Sequence, residues 1–189
     1  MIVTISGRPG SGKSLVASKV AKALGVAHRS AGDFMRELAE ERGMSILELS
    51  RLAEEDPSID EEIDARSARL AAEGVSFVMD ARLGWHFVPR SVKVFLEVRP
   101  EVAAERIFRA GRGSERENTD LETTRRAIDW RTASETARYH EYYGIDYADH
   151  GHYDLVVDTT DLTPDQVVEL ILEHVVSAGS GPGAGGEVP

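Results

Sequence analysis

The segment Gly7-Arg8-Pro9-Gly10-Ser11-Gly12-Lys13-Ser14 constrains this 189-residue chain more than any other. It matches G-x-x-x-x-G-K-[ST]. It lies between an apolar run, Ile2 to Ser6, and a stretch in which Val16, Val20 and Leu24 recur with helical period. A strand that ends in a glycine-rich loop and passes into a helix turns successive backbone N–H groups toward one point, where the helix dipole also favours an anion. All eight residues, Gly7 to Ser14, are therefore candidates to bind the phosphates of ATP. Lys13 would reach the β- and γ-phosphates, and the Ser14 hydroxyl would ligate Mg²⁺. A plain glycine turn is the alternative, and the flanking strand and helix weigh against it.

The same alternation continues downstream. A short second strand is expected before Ser30, then three helical stretches between Gly32 and Glu73, the second opened by a Ser45-x-x-Glu48 capping box. Val75 to Asp80 and Val92 to Val98 read as strands, and Glu101 to Arg112 as a helix. A second capping box, Thr119-x-x-Glu122, would open a long helix to about His140, ended by Tyr143-Gly144-Ile145-Asp146. Tyr153 to Asp158 reads as the last strand, and Thr163-Pro164 as the cap and first position of the last helix. From 177 to 189 the glycine-rich composition predicts a disordered tail. Strands alternating with helices predict an α/β fold with a mostly parallel sheet covered on both faces.

Charge narrows the partners. The net charge is −11 with no cysteine, and no apolar run approaches the length of a membrane span. Met1 also leads straight into Ile2 to Ile5 without a basic leader. A soluble cytoplasmic protein is expected, monomeric or a small homo-oligomer, that grips neither a nucleic acid polymer nor a membrane. The charge is nonetheless partitioned: +5 over 1–36, −9 over 37–64, +3 over 65–138 and −10 over 139–189. Eighteen of the 22 basic residues are Arg, whose planar fork grips phosphate oxygens in pairs. An acidic chain can thus still hold an anion site where its arginines converge.

Asn118 is the single Asn, so there is no guanine-reading Asn-Lys-x-Asp segment, and the chain is short for a motor ATPase. A small-molecule kinase remains, which holds two phosphorylated partners in line. Candidate acceptor-binding residues are Ser30, Gly32 and Arg36 after the second strand, and Asp80 and Arg82 where the third strand ends, the edge at which open α/β sheets bind ligands. Asp80 could hold a water of the Mg²⁺ shell. Arg131 and Arg138, two turns apart on one helix face, could neutralise the transferring phosphoryl group, with Arg106 and Arg109 as further candidates nearby. The blander alternatives are that Arg36 pairs with Glu40 and that Arg131 and Arg138 pair with Glu135. Asp149-His150-Gly151-His152 lacks the further spaced ligands of a metal site. Tyr139, Tyr142, Tyr143 and Tyr147 read as packing.

Over roughly residues 1 to 176 the chain resembles the short, archaeal-type cytidylate kinases of the nucleoside monophosphate kinase family. The resemblance is carried by Ile5 to Ser14, Ser30-Ala31-Gly32 with Arg36, Ala53 to Asp60, Arg82-Leu83-Gly84-Trp85, and Arg131-x-x-Ser134-Glu135-x-x-Arg138-Tyr139 followed by Tyr143-Gly144-Ile145-Asp146. It implies a three-layer P-loop NTPase fold with a five-stranded sheet, an acceptor-binding helical segment near 32–73 and a lid near 109–131. It also implies the reaction ATP + (d)CMP → ADP + (d)CDP, acceptor-phosphate roles for Arg36 and Arg82, and phosphoryl-transfer roles for Arg131 and Arg138. Similar chains often carry Glu-Gly-Arg-Leu where this one has Asp80-Ala81-Arg82-Leu83. Asp60, Asp64 and Arg66 are candidates for reading the base by their place in the acceptor segment. A kinase for another small acceptor, or an ATP-binding regulatory domain that transfers nothing, are the competing readings.

Overall fold

The computed structural model describes residues 1–110 and 120–179. Five strands, β1 (Ile2–Gly7), β2 (Ala27–Ser30), β3 (Phe77–Asp80), β4 (Val92–Glu97) and β5 (Leu155–Asp158), form one parallel sheet in the order β2-β3-β1-β4-β5. Parallel neighbours require crossovers, and helices supply them. β1 sits at the centre, and its Val3 and Ile5 are fully buried. Removing such side chains from water stabilises the fold by about 1.5–3 kcal/mol each.

The register places the chemistry at one edge. Ile5 is level with Asp80, and Ser30 with Asp80, so the P-loop, the start of the 32–73 helical segment and the Asp80-Ala81-Arg82 turn leave the sheet side by side. Gly7 ends β1 at φ 145°, where a Cβ would lie 2.4 Å from the Leu96 carbonyl oxygen. Gly10, at φ 76°, would put a Cβ 2.7 Å from the backbone of Ala103. Both positions need glycine for handedness and for space. The loop therefore rests directly on β4 and on α6 (Pro100–Ala110).

α1 (Lys13–Leu24) follows the loop, and its Val16, Ala17, Val20 and Ala21 are buried against the sheet. The helices α2 (Ala31–Glu41), α3 (Ile46–Leu52) and α4 (Ser58–Ala72) enclose a small core of Leu38, Leu49, Ile59 and Ile63. The expected capping box forms at α3: Glu48 N donates to Ser45 Oγ at 3.2 Å and Ser45 N to Glu48 Oε2 at 2.7 Å. At α8 (Pro164–Gly179) Thr163 and Gln166 make the same reciprocal exchange.

The structure corrects the expectation in three places. α7 (Leu121–Tyr143) is capped by Asp120, whose Oδ1 accepts from Thr123 N at 2.8 Å, and not by Thr119, which lies outside the described residues. As expected from Tyr143-Gly144-Ile145-Asp146, the helix ends at Tyr143, where Gly144 at φ 66° terminates it. α8 continues through 177–179 rather than stopping at 176. Ser177 Oγ donates back to Glu173 O at 2.8 Å there, and 180–189 lie outside the described residues. A one-turn helix, α5 (Gly84–Phe87), follows Arg82 and has no counterpart in the expected pattern, because four residues do not complete a recognisable period. Of the expected lid, the loop 111–119 with Arg112 lies outside the described residues. No described helix is long and apolar enough to cross a membrane.

Candidate active site

Lys13 opens α1 beneath the loop, and its Nζ donates to the carbonyls of Gly7 at 3.0 Å and Arg8 at 3.3 Å. Burial, and then the Arg82 guanidinium, push its ammonium well below the ordinary lysine value, with Arg131 adding to the effect and Glu135 and Asp80 opposing it. Those four groups come from the β3–α5 turn, from α7 and from the end of β3. Two segments far apart in the chain, 80–82 and α7, thus converge on the P-loop lysine.

Arg82 is the hub. Ser6 Oγ donates to the carbonyls of Ala81 at 2.8 Å and Arg82 at 2.9 Å, fixing the turn that carries it. Its Nη1 donates to the Gly7 carbonyl at 2.6 Å, the same oxygen that Lys13 uses. Its Nε donates to Glu135 Oε2 at 2.5 Å, and its Cζ lies 5.5 Å from the Tyr147 ring centroid, within cation–π range. Glu135 accepts from Arg131 Nε on its other oxygen at 2.9 Å. Burial alone would raise the Glu135 carboxyl, but Arg82 and Arg131 overcome it and hold the group at about 2.

Asp80 is 4% exposed. Burial acts to raise its carboxyl, yet the surrounding His28, Ser14 and Ser30 side chains leave it below the ordinary aspartate value. Its Oδ1 has no hydrogen-bond partner and faces His28 Nε2 at 3.6 Å. An ionised, incompletely satisfied carboxylate beside the Ser14 hydroxyl is an oxygen donor set that suits a hard cation such as Mg²⁺. Among the described residues there is no cluster of three or more His, Asp or Glu that could hold a metal ion.

Each remaining candidate has a definite place. Ser30 Oγ caps α2 by accepting from Gly32 N at 3.2 Å. Arg36, exposed on α2, pairs with Asp33 one turn earlier rather than with Glu40. Arg138 does not join Glu135. Its Nε donates to Asp60 Oδ2 at 3.1 Å and its Nη1 to Ser134 Oγ at 3.2 Å. Arg106 holds the segment after β5, donating to Thr159 Oγ1 at 3.0 Å and to the carbonyls of Thr159 at 2.6 Å and Thr160 at 3.2 Å. The Thr159 hydroxyl proton is shared between Glu97 O at 2.9 Å and Ser11 O at 3.2 Å, so Arg106 braces the segment behind the P-loop. Arg109 pairs with Glu105 on exposed α6. Arg8 pairs with Glu97 at 2.9 Å.

Of the possible base readers, Asp60 pairs with Arg138, and Asp64 accepts from Tyr143 OH at 2.7 Å. Arg66 is spent on Glu37, Glu41 and Glu62. His150 and His152 sit in a short 3-10 turn, His150 against Glu97 and His152 stacked on Trp85. Tyr139, Tyr143 and Tyr147 pack in one cluster with Phe95, and Tyr142 lies edge-on to Tyr143. Ala81 is accommodated in the buried cluster of Phe77, Met79 and Val88. The residue that sequence reasoning undervalued is Glu135. Its spacing from Arg131 and Arg138 was visible, whereas its contact with Arg82, 53 residues away, leaves no periodic trace.

A parallel sheet with the P-loop at its centre, and a lysine ringed by arginines from two other elements, define a P-loop protein of the small-kinase type. The shikimate kinase of Aquifex aeolicus shares that fold, with a TM-score of 0.58 at 18% identity over 96% of this chain and 99% of that one. The chain belongs to the cytidylate kinase-like family, whose model matches residues 2–161. It is 45% identical over 159 residues to a cytidylate kinase of Methanothermobacter thermautotrophicus, covering 84% of this chain and 95% of that protein. It is 42% identical over 177 residues to a cytidylate kinase of Halobacterium salinarum, covering 93% and 89% respectively.

Proposed function

We propose that the chain is an ATP- and Mg²⁺-dependent kinase of cytidine monophosphates, transferring the γ-phosphoryl group of ATP to a phosphate oxygen of CMP or dCMP. The bond from Pγ to the β–γ bridging oxygen breaks, the bond from the acceptor oxygen to Pγ forms, and ADP and (d)CDP result. The acceptor oxygen is already anionic, so the site needs cations and alignment rather than a base. The observation that supports this reading best is the meeting of Arg82 and Arg131 beside Lys13, at the sheet edge where the 32–73 acceptor segment begins.

In this reading the P-loop N–H groups and Lys13 bind the ATP phosphates, Arg82 and Arg36 the acceptor phosphate, and Arg131 the charge developing between them. Ser14 and, through water, Asp80 would hold Mg²⁺, which when bound neutralises charge on the β- and γ-oxygens. Arg131 would act from the lid expected near 109–131, of which 111–119 lie outside the described residues. The partners are free nucleotides of the cytoplasm.

A coupled assay with ATP against CMP, dCMP, UMP, AMP, GMP and shikimate tests the proposal. Highest turnover on CMP or dCMP is expected. Equal or higher turnover on another acceptor would replace the substrate, and ATP binding without transfer to any of them would leave a regulatory domain.

A further inference from the structure

Glu135 is a buried carboxylate beside the P-loop that the transfer chemistry leaves unused. With both oxygens engaged and its pKa near 2 it is no general base. Its geometry suits another task. It takes Nε–H from Arg82 on one oxygen and Nε–H from Arg131 on the other, and its side chain is 10% exposed. A single carboxylate thus spans two guanidiniums, one on the β3–α5 turn and one on α7, which otherwise repel each other and Lys13.

We infer that Glu135 is the positioning residue that sets Arg82 and Arg131 at a fixed separation and orientation for phosphoryl transfer, an inference that rests on the kinase reading above. Nε of Arg82 is held by Glu135 and Nη1 by the Gly7 carbonyl. Among the described residues Nη2 of Arg82 then donates to no protein atom and is the nitrogen left for an acceptor oxygen. The charge balance agrees. Lys13, Arg82 and Arg131 bring three cations together, Arg82 buried and Arg131 half-exposed, and without Glu135 they would repel one another before phosphates arrived. Glu135 keeps them together through Nε of each arginine. Arg131 comes within reach because it lies one helical turn before Glu135, and Arg82 because Ser6 pins its turn.

The test is a double-mutant cycle on the full chain, with turnover of CMP by the wild type measured first. Absence of that turnover overturns the kinase reading and this inference together. Glu135→Gln offers one acceptor oxygen and an amide donor that opposes a guanidinium. We expect kcat to fall about 10- to 100-fold, as when a group that orients ligands is lost, with KM for ATP changed less than about threefold. In the Arg131→Ala background the same substitution must cost at least about fivefold less, because one of the two groups that Glu135 orients is already gone. Losses that multiply in full, or an unchanged kcat in Glu135→Gln, overturn the inference. If Glu135→Gln does not fold, Glu135→Asp replaces it, keeping the charge but lacking the reach to span both arginines. Turnover at the wild-type level in Glu135→Asp would equally overturn it.

Discussion

Arg138 and Asp60 join α7 to α4, Nε to Oδ2 at 3.1 Å, with side-chain exposures of 14% and 9%. Burial raises the Asp60 carboxyl, and Arg138 works against that rise. The pair, with Ser134 donating to Glu54 at 2.9 Å and Tyr143 to Asp64, fastens the 32–73 helical segment to the helix that carries Arg131. Breaking a buried pair on one side strands the other charge, at a cost of about 3 kcal/mol. Asp60→Ala is therefore expected to lower Tm by about 6–12 °C and to raise KM for the acceptor more than KM for ATP. A calorimetric scan and acceptor titrations check both, and an unchanged Tm would remove the pair from the account.

Lys13 stands in the opposite relation to stability. Its ammonium is disfavoured by burial and by Arg82 and Arg131, so the folded state is less stable for containing it. Lys13→Met should melt about 2–5 °C above the wild type while losing at least about 100-fold in kcat. Function and stability would thus separate at one residue. A lower Tm would mean that its bonds to the Gly7 and Arg8 carbonyls outweigh the repulsion.

Much of this arrangement was legible in the sequence, and the exceptions share a cause. β1, the P-loop and α1 are local: an apolar run, glycines at set spacing and a helical period lie within 24 residues. Lys13, Asp80, Arg82 and Arg131 could be nominated because each is the right residue type at a strand or helix position that the pattern locates. Their partners could not. Arg82 with Glu135, Arg106 with Thr159, and Arg138 with Asp60 are separated by 53, 53 and 78 residues, and only the packing of the sheet decides which candidates meet. The cap of α7 failed for a different reason. Thr119 and Asp120 are both good capping residues, and the backbone selects between them.

Arg36 and Arg82, alike in the resemblance, should part company on mutation. Arg36 is exposed, with its guanidinium paired to Asp33. Arg36→Ala should leave Tm unchanged and raise acceptor KM by about tenfold, the loss of one charge-assisted contact. Arg82 supports the Gly7 carbonyl, Glu135 and the Tyr147 ring, so Arg82→Ala should lower kcat and Tm together. Steady-state kinetics and melting curves on the two variants give the comparison. Equal effects on KM alone would show that Arg82 only binds the acceptor.

Asp64 makes a prediction in pH. Burial raises its carboxyl to about 7, against the hydrogen bond from Tyr143 and with help from the Asp60 charge. Between the unfolded value near 4 and the folded value near 7, the folded state holds the proton that the unfolded chain releases. The contribution of Asp64 to stability is therefore fully present below about pH 4, falls as pH rises, and is gone above about 7. Asp64→Asn keeps an oxygen for Tyr143 but cannot ionise. Its stability relative to the wild type should improve steadily from pH 4 to 7, by about 1–3 kcal/mol in all. Urea titrations of both proteins at pH 4.5, 5.5, 6.5 and 7.5 would reveal it, since groups common to the two cancel in the difference. A difference that stays flat over that range would mean that Asp64 is ionised throughout, with Tyr143 and solvent supplying what burial removes.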